Sequence, residues 1–146
     1  MRTAATVAIC LGLALLAAPA LAKPLPDLRL TKISNPQATA TPGDQVPISD
    51  KVKNAGKATA RKSTVRFYLS SDTSRGSGDI RMIGDESIIK LKAGVVAKAS
   101  GSFAIPLETP DGSYFVIGCA DDTHVVHESN ENNNCRSSKT SVAVNG

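Results

Sequence analysis

Between Thr64 and Ser70 the side chains alternate: Val65, Phe67 and Leu69 fall on one face, Arg66 and Tyr68 on the other. A two-residue period buries one face and leaves the other to solvent, which is the signature of a β-strand lying on a core. The same period recurs in Leu28–Thr31, in Val46 and Ile48 with Val52, in Phe103 and Ile105 of the Val96–Ile105 segment, and in Lys139–Val144. Ile80–Ile83 and Ser87–Leu91 read as short strands, and Tyr114–Cys119 is nearly all apolar, as expected of a central strand. Turn residues punctuate the chain at Asn35–Asp44, Asn54–Gly56, Ser71–Asp79, Gly84–Asp85, Lys92–Gly94, Pro106–Gly112 and Asp121–Asn134, and no stretch carries an apolar period of 3.6. The pattern predicts an all-β fold, a sandwich of antiparallel sheets with about seven strands. Pro47 has no N–H to donate, so its strand is expected to lie at an edge or to begin there.

Residues 1–22 have the make-up of an export signal: Arg2, an apolar Ala4–Ala18 run, and Ala20-Leu21-Ala22 as a small-x-small exit. The apolar run is short of the ~20 residues a membrane span requires, so cleavage near Ala22 is expected to release Lys23–Gly146 as one domain with no membrane span. Cys10 lies inside the apolar run and leaves with it. Cys119 and Cys135 then remain as an even pair in an oxidising compartment, secreted, periplasmic or at the cell surface, and a disulfide is expected. A closed loop of about sixteen residues would stabilise the fold by about 3 kcal/mol. The formal charge of +4 is dispersed along the chain and aromatic residues make up only 3%. That reads as a solvated surface and excludes the basic stripe and stacking rings of a nucleic-acid binder.

Several residue sets invite chemistry. Cys119, His124, His127 and Cys135 are zinc-type ligands, but their spacing fits no common finger and a disulfide removes the thiolates. In His124-Val125-Val126-His127-Glu128 the histidines are three apart in extended chain, so they face opposite sides, unlike the helical pair of a zinc protease. Ser87 and Lys90 have a Ser-x-x-Lys spacing that works on a helix, whereas Ile88-Ile89 favours a strand. Asp72, Asp79, Asp121, Asp122, Glu128 and Glu131 are candidate calcium ligands; calcium takes six to eight oxygens, and the alternative is that these are solvated turn acids. Asp50 shares parity with Ile48 and Val52 and should point inward. Either a bulge rotates it out, or, as favoured here, it accepts hydrogen bonds from a neighbouring turn, since an unpaired buried carboxylate is costly. Tyr114, after Asp111-Gly112-Ser113, is either a tyrosine corner bonding back to the preceding turn or an ordinary strand aromatic. Asn130, Asn133 and Asn134 suit a structural turn.

Pro26-Asp27-Leu28, Ser49-Asp50-Lys51-Val52-Lys53-Asn54-Ala55-Gly56, Val65–Ser70, Leu91-Lys92-Ala93-Gly94, Ile105-Pro106, Gly112-Ser113-Tyr114, and Cys119-Ala120-Asp121 with Val125–Cys135 follow one another in order. Together they resemble the CARDB domain, a bacterial cell-adhesion-related module, with Glu128-Ser129-Asn130-Glu131-Asn132-Asn133-Asn134 as the most distinctive piece. The resemblance runs from about Pro26 to Val144. It implies an immunoglobulin-like sandwich in an extracellular setting. No nucleophile, base and orienting group converge in the sequence, so the chain is not expected to be an enzyme and needs no cofactor, calcium being the one candidate. The expected role is a secreted or cell-surface binding or adhesion module working through protein–protein contacts with an extracellular or envelope protein. The alternatives are a calcium- or glycan-binding accessory domain, or a small secreted metal-dependent hydrolase. Any binding surface is expected on the loops Ser71–Asp79 and Asp121–Asn134.

Overall fold

A computed structural model describes residues 21–146, so the export-signal reading falls almost wholly outside the described residues. In chain order the strands are β1 (Leu28–Ile33), β2 (Thr39–Ala40), β3 (Gln45–Asn54), β4 (Ser63–Ser70), β5 (Ile80–Arg81), β6 (Glu86–Ile88), β7 (Val96–Ala104), β8 (Gly112–Cys119) and β9 (Cys135–Val144). They form a three-stranded sheet, β1-β3-β7, and a six-stranded sheet, β2-β9-β8-β4-β5, with β6 pairing beyond β5 on the same strand, β4. All pairs are antiparallel except β2 with β9. Among the described residues no helix is long and apolar enough to cross a membrane.

The described residues form nine strands where about seven are expected, the excess being the very short ones. β2 lies inside the expected Asn35–Asp44 loop; two residues are too few to show a period, and their pairing with Ala143 and Val144 is set from the far end of the chain. β9 starts at Cys135 rather than Lys139, because its polar first half is held by β8 through Cys119, Gly118 and Ile117. Pro47 is near the start of β3, as expected, yet β3 is the central strand of its sheet. The two fit because β1 pairs only with the Asp50–Asn54 half of β3.

The core is where the inward faces of the two sheets meet. Val46, Ile48 and Val52 of β3 oppose Val65, Phe67 and Leu69 of β4 and Val116, Val142 and Val144 of β8 and β9, all essentially buried. Phe67 of one sheet and Phe103 of the other pack ring to ring at 4.4 Å, tilted by 53°, a favourable aromatic geometry. Gly118 also points inward, paired with Phe67. A Cβ there would sit 2.6 Å from Leu30 Cδ2, so only glycine lets β1 cross so close to β8.

Asn54 locks the end of β3. Its Oδ1 accepts the N–H groups of Asp27 and Gly56, and its Nδ2 donates to the carbonyls of Ala58 and Leu91. The side chain is fully buried with every bond made, which is the condition under which a buried amide stabilises. Two residues on, Gly56 lies against the Leu25–Asp27 backbone, where a Cβ would meet Leu25 O at 2.5 Å.

Asp50 is buried, as its parity demanded, but the expected turn donors are absent. Its Oδ1 has no hydrogen-bond partner. Its carboxyl instead lies near that of Glu86, on β6 of the other sheet, close enough for each to perturb the other's titration. Burial raises the Asp50 pKa; burial and the Asp50 charge together push Glu86 to about 7. Local turns cannot supply this contact, because the partner comes from the opposing layer. Tyr114 does form the corner: its hydroxyl donates to Pro110 O at 2.9 Å.

Candidate functional site

The disulfide is formed. Cys119 of β8 and Cys135 of β9 are directly paired across the sheet, 4.0 Å apart at Cα. It lies on the outward face of the six-stranded sheet, where Cys119, Ile117 and Tyr68 make a small apolar cluster separate from the main core. That cluster is buried because the two long loops, 71–79 and 120–134, fold over it. Between them is a cleft of about 520 Å³.

Arg75 from the first loop stacks on the Tyr68 ring, its guanidinium 3.6 Å from the centroid, a cation–π contact. The Tyr68 hydroxyl donates to Asp122 Oδ2 at 2.5 Å, and Arg66 approaches the same oxygen at 3.6 Å. Burial, and then the carboxylate acceptor, raise the Tyr68 pKa, so the phenol stays neutral and keeps donating. Arg136, from the strand just past the disulfide, and Glu131 with His124, 3.8 Å apart, complete the mixed-charge rim.

The second loop is pinned to β1 by its acids and asparagines. Glu128, buried, accepts the Leu28 N–H and a 2.8 Å bond from Asn134 Nδ2. Asn134 O takes the N–H groups of Leu30 and Ala120, while Asn133 Nδ2 donates to Asp27. Asn130 Oδ1 accepts the Asn132 N–H and closes a local turn. Burial pushes Glu128 up to about 7 against the pull of these donors. Asp121, also buried and with a raised pKa for that reason, accepts the Val125 and Val126 N–H groups. Asp121 and His124 both adopt positive φ, 44° and 51°, where an aspartate can sit at lower cost than most residues.

The six candidate calcium ligands are therefore engaged separately. Asp72 and Asp79 accept the Ser74 and Gly76 N–H groups within their own loop, and Asp79 also faces Arg75 at 3.4 Å. Asp122 holds Tyr68 and Glu131 accepts the Glu128 N–H. Among the described residues no three His, Cys, Asp or Glu side chains gather closely enough to hold a metal ion. The cysteines being bonded to each other, the zinc-type set has no thiolates. Ser87 and Lys90 are both exposed, Ser87 on β6 and Lys90 just past its end. Tyr68, Arg75 and Arg136 were not singled out in the sequence; the available signal was Tyr68 sharing the outward parity of Arg66.

No curated protein matches the chain. Among solved structures, the CARDB domain of a Pyrococcus furiosus protein, determined in complex with di-metal ions, superposes with a TM-score of 0.57 at 21% identity, over 82% of this chain and 94% of that one. A domain of a Methanosarcina acetivorans cell-surface protein gives 0.55 at 18% identity, over 83% and 93%. A Listeria innocua β-glucosidase gives 0.50 at 16% identity, over 83% of this chain but only 16% of the enzyme. These likenesses show the fold. The CARDB family pattern matches residues 25–138, most of the described chain, and the chain belongs to the CARDB family.

Proposed function

We propose that this domain is a non-catalytic binding module that works outside the cytoplasm and takes a protein partner in the cleft over the Cys119–Cys135 bridge. The observation that carries the reading is the convergence of both long loops on one concave, mixed-charge surface, with Arg75 pre-set on Tyr68. A stacked arginine over a buried ring is the kind of anchor on which protein interfaces concentrate their energy. The pinned loops reduce the ordering cost of binding. The disulfide fits an oxidising compartment. This reading takes no metal from the Pyrococcus furiosus domain, since among the described residues the acids are dispersed and hydrogen-bonded to the chain.

The test places a photo-crosslinking residue at Arg136 of the full chain, presents it to envelope extract, and then reconstitutes binding with the crosslinked protein in pure form. Arg75→Ala with Glu131→Ala should weaken that purified complex by about tenfold or more. Equal affinity of the variant and the parent refutes the cleft as the contact surface.

A further inference from the structure

The outward face of the three-stranded sheet carries a row of like charges. The register places Lys32 of β1 beside Lys51 of β3, and Lys51 beside Lys98 of β7. Strands lie about 4.8 Å apart, so the three Cα atoms span about 10 Å. Lys53 stands two residues along β3 on the same face. The three strands contain one acid, Asp50, and it points inward. Arg29 is already paired with Asp27 at 2.6 Å; among the described residues none of the four lysines has an ion-pair partner.

Beside the lysine row lies a row of hydroxyls, Ser34, Ser49 and Ser100. With Asp50 and Ala99, the two rows line a shallow depression of about 280 Å³. Ser34 Oγ accepts the Ser49 N–H at 3.0 Å, which leaves its own proton free. Ser49 Oγ and Ser100 Oγ share one bond at 2.8 Å, which leaves a second proton free. The surface therefore offers several cations and at least two neutral donors, and the one acid of the lining, Asp50, is buried on the inward parity of β3.

Like charges set directly opposite across strands are destabilising, and a bound polyanion would relieve them. We propose that this face binds a linear acidic polysaccharide, its carboxylate, sulfate or phosphate groups lying across the lysine row and the serine hydroxyls. The face has no aromatic or apolar anchor at its centre, as a protein interface would need. Its one exposed apolar residue, Val96, lies at the end of the face opposite Lys53, and a single valine is too small an anchor to hold the domain on a bilayer. It is the outer side of the sheet opposite the cleft, so the proposal does not depend on the protein-partner reading.

Binding of the full chain to immobilised polygalacturonate, against the same polymer fully methyl-esterified, tests it. Saturable binding is expected on the charged polymer only, and it should be lost when salt shortens the Debye length below about 5 Å. Lys32→Gln/Lys51→Gln/Lys98→Gln should lower affinity by about tenfold, the combined effect of three exposed ion contacts, with Tm unchanged or raised. Removing the same charge elsewhere, at the exposed Lys62, Lys90 and Lys139, should leave affinity within about twofold. The proposal fails if the two triple variants bind alike, if the charged polymer is not bound, or if only phosphatidylglycerol vesicles are bound.

Discussion

Glu128 should make the stability of this fold fall as pH rises through neutrality. The residue is 4% exposed, its carboxyl clamped between the Leu28 N–H and the Asn134 amide, and burial raises its pKa from the ordinary 4.5 to about 7. A folded-state value above the unfolded one means that the native chain holds the proton more tightly. The associated stability is present below about pH 4.5 and is lost as pH climbs through about 7. The gap corresponds to about 3 kcal/mol. In urea, with a slope of roughly 1–2 kcal/mol per molar for a domain of this size, the midpoint should be about 2 M lower at pH 8 than at pH 5. Glu86, half-buried beside Asp50 and also raised to about 7, adds a smaller slope of the same sign because solvent screens it. Glu128→Gln separates the two. Its single acceptor oxygen cannot serve two donors, which costs about 1–3 kcal/mol at every pH, but the Glu128 share of the pH slope should vanish. Urea melts followed by circular dichroism at pH 5 and pH 8 measure both. A variant that keeps the full parental slope would refute the assignment of a buried, proton-holding Glu128.

Cys119→Ser with Cys135→Ser should cost about 3 kcal/mol, read as a drop in thermal midpoint, with the parent matching it once fully reduced. Gly118→Ala should cost about 1–3 kcal/mol, because its methyl would meet Leu30 and Phe67 where two strands cross; an unchanged urea midpoint would show that β1 does not lie that close. Asp50→Asn should raise stability at pH 8 and bring Glu86 down toward 4.5, since it removes an incompletely bonded charge from between the sheets. Carboxyl NMR titration follows Glu86, and a Glu86 value that stays at about 7 would rule out their contact.

The fold was legible wherever one strand face is buried. Val65-Phe67-Leu69 and Val46-Ile48-Val52 announced their inward faces by parity, and the structure keeps them. The Cys119–Cys135 pair followed from counting, and the loops expected to hold a binding surface do share one cleft. What escaped depends on register between distant strands. Lys32, Lys51, Lys53 and Lys98 read as dispersed charge along the chain, and only the β1-β3-β7 alignment gathers them. Asp50 showed its direction but not its partner, because Glu86 lies thirty-six residues on and in the other sheet. Turn chemistry explained Asn130, yet Asn134 and Glu128 act on β1, about a hundred residues away in sequence.

The two candidate surfaces are on opposite sides of one rigid sandwich, and that separation has an energetic consequence. Paired sheets stand about 10 Å apart, and each candidate surface lies on an outer face. Charges on one are separated from those on the other by the whole packed core, and through the surrounding solvent by more than a physiological Debye length of about 8 Å. With no shared side chains, changes on the two faces should add independently. A domain built this way can hold an anionic polymer on the lysine face while the cleft stays open to a protein. Salt should release the first contact and leave the second largely in place, since Arg75 acts in the cleft as a stacked, partly buried group. If both proposed contacts hold, one face would tether and the other recruit without a conformational change, with the Phe67–Phe103 core between them as a spacer.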